Sequence, residues 1–241
     1  MTTLVRLTFT LDQGKILLPK MPTRKKSKRN RLHPAAIEAA LPASLDPMLP
    51  TLVHKPFSGQ EWLFEPKWDG WRATCFIKEG ESRFVSRKHN SLNERFPQLN
   101  HVTEAIKANT AVLDGEIVAL DKDGLPRFDA LRSRRTGVAI VFYAFDLLYL
   151  DGFDLSRCPL VKRKELLRSI LPKDNTGRVR FTDHVSGSGE RLFQKLEALQ
   201  LEGMVMKRKD SVYAFMRCRD WLKVRTSAGR ATIQKRIENW R

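Results

Sequence analysis

The chain has 241 residues, 41% of them hydrophobic, which is enough to bury a core of one or two domains and excludes disorder throughout. Lys and Arg number 44 against 27 Asp and Glu, and the net charge of +17 points to a polyanionic partner, nucleic acid before membrane. Cys75, Cys158 and Cys218 are odd in number and far apart, and neither a membrane span nor a secretion signal is legible, so a reduced, cytoplasmic protein without a membrane partner is expected.

In chain order, the first zone is a leader, 1 to 45. Val5, Leu7, Phe9 and Leu11 alternate ahead of the turn-like Asp12-Gln13-Gly14-Lys15, which predicts a short strand. Met21 to Pro34 reads MPTRKKSKRNRLHP, too poor in apolar residues to offset its ordering entropy, so the leader is expected to be basic and flexible, with non-specific phosphate contact open to it. Residues 1 to 33 hold nine Lys or Arg against one acid, Asp12; about half of the +17 therefore lies outside the leader, on the folded part.

The second zone, 46 to 226, mixes short strands with a few amphipathic helices. Trp71, Ala73, Cys75 and Ile77 recur at period two, then Lys78 to Ser82 turns the chain into Arg83 to Ser86, a hairpin. Val112 to Leu120 followed by Asp121-Lys122-Asp123-Gly124 predicts a second hairpin, and Val138 to Leu148 a buried strand. Helical spacing marks Leu160 to Leu171, through Leu166, Leu167, Ile170 and Leu171, and Glu190 to Leu201, through Leu192, Leu196 and Leu199. Without a regular βαβ rhythm, the fold class is α+β with mainly antiparallel sheets flanked by helices. The third zone, 227 to 241, is a short tail.

Chemistry concentrates in four segments. Phe64-Glu65-Pro66-Lys67-Trp68-Asp69-Gly70-Trp71-Arg72 sets one lysine among rings, where partial burial favours the neutral, nucleophilic amine. Leu113-Asp114-Gly115-Glu116-Ile117-Val118 and Leu201-Glu202-Gly203-Met204-Val205-Met206-Lys207 insert acids into apolar strands, each needing a metal, a cation or a hydroxyl as partner, with structural salt bridges the alternative. In Trp221-Leu222-Lys223-Val224-Arg225, alternation points Lys223 and Arg225 to one strand face, which suits a phosphate, with a merely solvated strand face the commoner alternative for such a pair alone. An amine, carboxylates for Mg²⁺ or ribose, and cations for phosphate oxygens suit nucleotidyl transfer, in which lysine attacks an α-phosphate and pyrophosphate leaves.

With these motifs in order, together with Ser86-Arg87-Lys88 and Phe145-Asp146, the chain over about 46 to 226 resembles the ATP-dependent DNA ligases, and among them the ligase module of bacterial end-joining ligases. The resemblance implies a ligase-type nucleotidyltransferase (ATP-grasp-like) domain. It further implies that Lys67 becomes adenylylated, that Glu65 contacts adenine, that Arg72 and Glu116 hold the ribose or sugar-phosphate, and that Arg87 contacts phosphate. By the same resemblance Phe145 stacks on adenine, Glu202 helps place the metal, and Lys207, Lys223 and Arg225 surround the α-phosphate. Asp146 is left as a structural acid.

The family also implies ATP with Mg²⁺ or Mn²⁺ as cofactors, and sealing of 5′-phosphate/3′-hydroxyl breaks during DNA repair or recombination. The expected partners are duplex DNA with nicks or breaks and a separate polypeptide supplying an OB-fold or end-joining functions. Two departures stand out. Arg225 replaces a lysine common in the family, exchanging a compact ammonium for a fixed fork. The 15 residues after 226 are too few for five strands of about five residues each, so no C-terminal OB-fold is expected in this chain. An RNA ligase or capping-type enzyme, or a truncated non-catalytic ligase relic that binds DNA or nucleotide, are the competing readings.

Overall fold

The computed structural model describes residues 32–133 and 137–238. The chain divides into units Met1–Leu32 and His33–Arg241. The strand expected at Val5 to Leu11 and the basic run before Leu32 lie outside the described residues.

The strands of the second unit are β1 (Ile37–Glu38), β2 (Leu49–Leu52), β3 (Gly59–Lys67), β4 (Trp71–Lys78), β5 (Glu81–Ser86), β6 (Thr110–Leu120), β7 (Ala139–Leu150), β8 (Phe153–Asp154), β9 (Val179–Phe181), β10 (Val185–Gly187), β11 (Gly203–Arg208) and β12 (Arg217–Arg225). The helices are α1 (Phe128–Ser133), α2 (Leu160–Ile170), α3 (Gly189–Ala198) and α4 (Ser227–Glu238). One sheet has the order β1-β8-β7-β6-β4-β5, with β9 running parallel to β7, and the other has the order β10-β3-β11-β12-β2. Most pairings are antiparallel; β2 alongside β12 is parallel. The α+β class with mainly antiparallel sheets is what the structure contains.

The first hairpin forms as the alternation predicts. β4 and β5 pair from Ala73 opposite Ser86 to Lys78 opposite Glu81. The two-residue turn places both Glu79 (φ 53°) and Gly80 (φ 81°) in the left-handed region, the conformation whose twist matches that of the flanking strands. The second hairpin is corrected. After β6 the chain returns only as a single bridge, Leu120 to Pro126, and then enters α1. Asp121 draws the turn into a tight loop instead, accepting from Asp123 N, Leu125 N and Arg127 Nε.

Period two decides what each strand of the smaller sheet shows to its neighbours. On β3, Trp62 and Phe64 pack with Leu196 of α3, Met204, Met206 and Val224, while the alternate residues Leu63, Glu65 and Lys67 turn the other way. Leu63 joins a core made with Phe76, Val112, Phe145, Leu148 and Trp221, so apolar contact ties the two sheets together. Burying these side chains is the main stabilising term, at roughly 1.5–3 kcal/mol for each large one. In α3 the expected stripe stops early. Leu196 is buried, but the helix ends at Ala198 and Gln200 takes φ 54°, which leaves Leu199 57% exposed. Residues 227 to 238 are helical, and the helix start is tied down where Ser227 N donates to Glu197 Oε1 and Thr226 N to Glu202 O.

Candidate active site

Lys67 ends β3 and Arg72 follows the start of β4, so the link 68–70 carries both into one place. Gly70 permits it: a Cβ there would lie 2.2 Å from Ile117 O and 2.9 Å from Glu116 Cγ, so only glycine lets this link pass β6 so closely. Across the sheet Arg72 sits opposite Glu116. On the smaller sheet, Lys67 pairs in register with Gly203, and Gly203 in turn with Arg225.

These strands enclose a cavity of about 220 Å³ lined by Glu65, Lys67, Arg72, Arg87, Glu116, Phe145, Lys207 and Lys223, together with Leu49, Pro50, Pro66, Trp68, Val205 and Trp221. Glu65 with Lys67, Val205 with Lys207, and Trp221 with Lys223 are alternate residues on β3, β11 and β12, which is why one face of that sheet supplies them. Two expected site residues do not line the cavity. Glu202 lies beside it, in an ion pair with Lys67. Arg225 lies one step further along β12, its Nε buried and without a hydrogen-bond partner.

The charges form three knots. In the first, Lys67 and Glu202 pair with side chains 22% and 7% exposed. Near them the Glu116 carboxyl is pushed up to about 8, by burial first and by the Glu202 and Asp114 carboxylates, against the pull of Lys67 and Arg72. The Lys223 ammonium is pushed down by burial, with Lys67, Arg225 and Arg217 adding to the effect.

In the second knot Arg72 grips Asp114 with both prongs, Nε to Oδ1 at 2.6 Å and Nη2 to Oδ2 at 2.5 Å, and Nη2 also donates to Met48 O. Tyr213 locks this grip: its hydroxyl donates to Asp114 Oδ2 at 2.5 Å and accepts from Met48 N at 2.9 Å. Asp114 sits across from Asp146, and both carboxylates are fully buried. They coexist because Asp146 has its own fork, Arg163, at 2.8 Å on both oxygens. Asp146 is thus a structural acid.

The third knot surrounds Glu65. Lys164 Nζ lies 2.7 Å from Oε1 and Lys207 Nζ 2.7 Å from Oε2, all three side chains being about 2% exposed. Burial alone would push the Glu65 carboxyl up, but the two lysines overcome it and hold it below the usual range. Lys207 is pushed down to about 8, mainly by burial, with Lys164 adding and Glu65 opposing. Its ammonium lies 4.2 Å from the Phe145 ring centre and 4.1 Å from that of Trp221. Phe145 also carries Arg72 at 4.5 Å and is 7% exposed, so in this state its ring meets cations.

Lys164 and Tyr213 were not among the residues expected here. The signal for Lys164 was present in the sequence: Leu160, Arg163, Lys164, Leu167 and Ile170 form the buried stripe of α2, so two cations occupy core positions of an amphipathic helix. A buried cation needs partners, and its partners were Asp146 and Glu65.

Among the described residues no group of three or more His, Cys, Asp or Glu is placed to hold a metal by itself. Magnesium ordinarily takes one or two carboxylates and completes its shell with water and substrate phosphates. Glu202 and Glu116, with cations nearby for phosphate, fit an ion that arrives with a polyphosphate. None of the described helices is long and apolar enough to cross a membrane.

A lysine ion-paired with one carboxylate, a second carboxylate nearby and a cation-lined cavity between two mainly antiparallel sheets make a nucleotidyltransferase-type site. The chain belongs to the ATP dependent DNA ligase domain family, whose model matches residues 47–225. It is 35% identical over 184 residues to the multifunctional non-homologous end joining DNA repair protein LigD of Mycobacterium tuberculosis, covering 75% of this chain and 24% of that protein. It is 31% identical over 186 residues to the SPbeta prophage-derived DNA ligase-like protein LigB of Bacillus subtilis, covering 75% of this chain and 67% of that protein. Among solved structures, mycobacterial DNA ligase D complexed with ATP and MES matches with a TM-score of 0.67 at 33% identity, over 75% of this chain and 60% of that one. The chain therefore spans about a quarter of the length of the LigD relatives it matches.

Proposed function

We propose that this chain is the adenylylating module of an ATP-dependent DNA ligase. The Lys67 amine attacks the α-phosphorus of ATP, a P–N bond forms as the bond to the β-phosphate oxygen breaks, and pyrophosphate leaves. An oxygen of a 5′-phosphate at a break in duplex DNA then attacks the same phosphorus and frees the lysine. The 3′-hydroxyl finally attacks the 5′-phosphate, and AMP departs. The observation that carries this reading is the Lys67–Glu202 pair at a cavity that also holds Glu116, Lys207 and Lys223. A divalent cation such as Mg²⁺ would be held by Glu202, with Glu116 beside it, and would neutralise charge on the phosphates.

The base would be read by the third knot. Adenine offers a donor at its 6-amino group beside an acceptor at N1, which suits the Glu65 acceptor beside the Lys207 donor. Guanine presents the reverse, an acceptor at O6 and a donor at N1, so each of its groups would face its like. Arg72 and Glu116 suit the ribose, and Arg87, Lys223 and Arg225 the phosphates. We assign the chain to the cytoplasm, with nicked or broken DNA as substrate and a polypeptide contributing end-joining functions as partner.

The test is to incubate the protein with α-labelled ATP and Mg²⁺, then with a nicked duplex, and to follow the label. Passage from protein to DNA to free AMP is expected. Label that never reaches the protein, or reaches it and cannot be chased onto DNA, contradicts the reading.

A further inference from the structure

Lys164 lies on α2, outside every motif of the site, yet it is one of the most deeply buried side chains in the domain, 2% exposed. An ammonium has three N–H donors. Lys164 uses all of them: to Glu65 Oε1 at 2.7 Å and Phe145 O at 3.3 Å, both on the cavity wall, and to Thr182 O at 3.2 Å just behind it. The Phe181 ring, 4.6 Å away, covers it further.

Two of the acceptors belong to different parts of the wall, and the third, Thr182, holds a wall residue. Glu65 lines the cavity on β3, and Phe145 does so on β7. Thr182 follows β9, and its hydroxyl accepts from the Trp68 indole N–H at 3.2 Å; Trp68, stacked on Tyr143 at 3.9 Å, lines the cavity as well. We propose that Lys164 is a positioning residue of the base pocket, which holds the Glu65 carboxylate and the Phe145 and Thr182 carbonyls in one arrangement and thereby sets the preference for a 6-aminopurine. A plain stabilising role is the weaker account, since a buried ion pair seldom contributes more than a well-packed apolar replacement.

Electrostatics gives the proposal a signature that packing lacks. The charged groups around Lys207 are Glu65 from β3, Lys164 from α2 and Asp146 from β7, with His184 from the link between β9 and β10 also within electrostatic reach. Lys164 is a positive neighbour that lowers Lys207, so its removal should let Lys207 keep its proton to higher pH.

The inference rests on the adenylylation reading, and the experiment separates the two. Equilibrium binding of ATP and of GTP is measured from neutral to alkaline pH for the wild type, Lys164→Met, Lys164→Arg, Glu65→Gln and the double variant Glu65→Gln/Lys164→Met, with circular dichroism to monitor folding. Lys164→Met is expected to lose about ten- to a hundredfold in ATP binding, as outer contacts of ligating residues do. Its GTP binding should change little, and its alkaline limb should move to higher pH. Lys164→Arg should keep the wild-type limb and lose part of the ATP preference. In the Glu65→Gln background, adding Lys164→Met should change the ATP:GTP ratio far less than it does in the wild type, because Lys164 acts on base choice mainly through Glu65. A folded Lys164→Met with the wild-type ratio and limb overturns the proposal. If that variant does not fold, a wild-type ratio in Lys164→Arg overturns it. A wild type that binds neither nucleotide and forms no protein adenylate overturns the function itself, whereas failure of the Lys164 proposal alone leaves wild-type adenylylation intact.

Discussion

Lys67, at the end of β3, forms an ion pair with Glu202, the residue just before β11, where Gly203 stands directly across from Lys67. The pair fixes the amine at the cavity and keeps a carboxylate within reach of whatever neutralises the phosphates. In the proposed reaction the amine leaves this pair to attack, and Glu202 exchanges its partner.

Glu202→Gln should therefore slow protein adenylation by about 10² to 10³, the usual loss for one preorganised charge contact. Stability should change by no more than about 1 kcal/mol, because the pair is partly solvated. Rapid-quench labelling and urea titration measure the two effects separately. A large stability loss with unchanged labelling would make the pair structural.

Gly70→Ala should cost about 1–3 kcal/mol, since the new methyl meets Ile117 O at 2.2 Å and strand β6 cannot yield. The displaced link would carry Lys67 and Arg72 apart, so labelling should fall in step. Chemical denaturation checks the first effect and adenylate yield the second.

Much of this arrangement was legible in the sequence, and the reasons are local. Alternation placed Trp71 to Ile77 in a strand, and the six ordered motifs named ten residues, of which Glu65, Lys67, Arg72, Arg87, Glu116, Phe145, Lys207 and Lys223 share one cavity. The partners those residues use were not legible. Tyr213 reaches Asp114 from 99 positions away and Lys164 reaches Glu65 from the same separation, and no local period encodes contacts of that range. The turn after Leu120 looked like a hairpin because Asp-Gly signals a reversal without saying whether strand or helix follows.

Tyr213→Phe removes the hydroxyl that both donates to Asp114 and accepts from Met48 N. The buried Met48 N–H loses its acceptor, and stability should drop by about 1–3 kcal/mol. Arg72 would then hold Asp114 without the lock, so KM for ATP should rise more than kcat falls. Steady-state adenylation kinetics distinguish this from a pure stability loss, which would leave KM unchanged.

Lys207 contributes the pH dependence on the alkaline side of 8, beyond the ionisation of Glu116. Its folded-state value of about 8 lies below the ordinary 10.5, so the folded protein releases this proton before the unfolded chain does. Below 8 the buried ammonium opposes folding, and this cost fades as pH rises from 8 to 10.5. ATP binding should move the other way, weakening by up to about tenfold per pH unit above 8 as the charge is lost. Lys207→Met should flatten both curves, which calorimetric titration and melting across that range will show.

Everything proposed for the site turns on Lys67 carrying the nucleotide. The direct measurement is mass spectrometric mapping of the adenylylated peptide after incubation with ATP and Mg²⁺, in the wild type and in Lys67→Ala. The expected result is AMP bonded to Lys67 through a P–N linkage, stable to alkali and labile to acid, and no adduct in a Lys67→Ala protein that remains folded by circular dichroism. An adduct on Lys207, Lys223 or any other residue, or a Lys67→Ala protein that still becomes adenylylated, would contradict it.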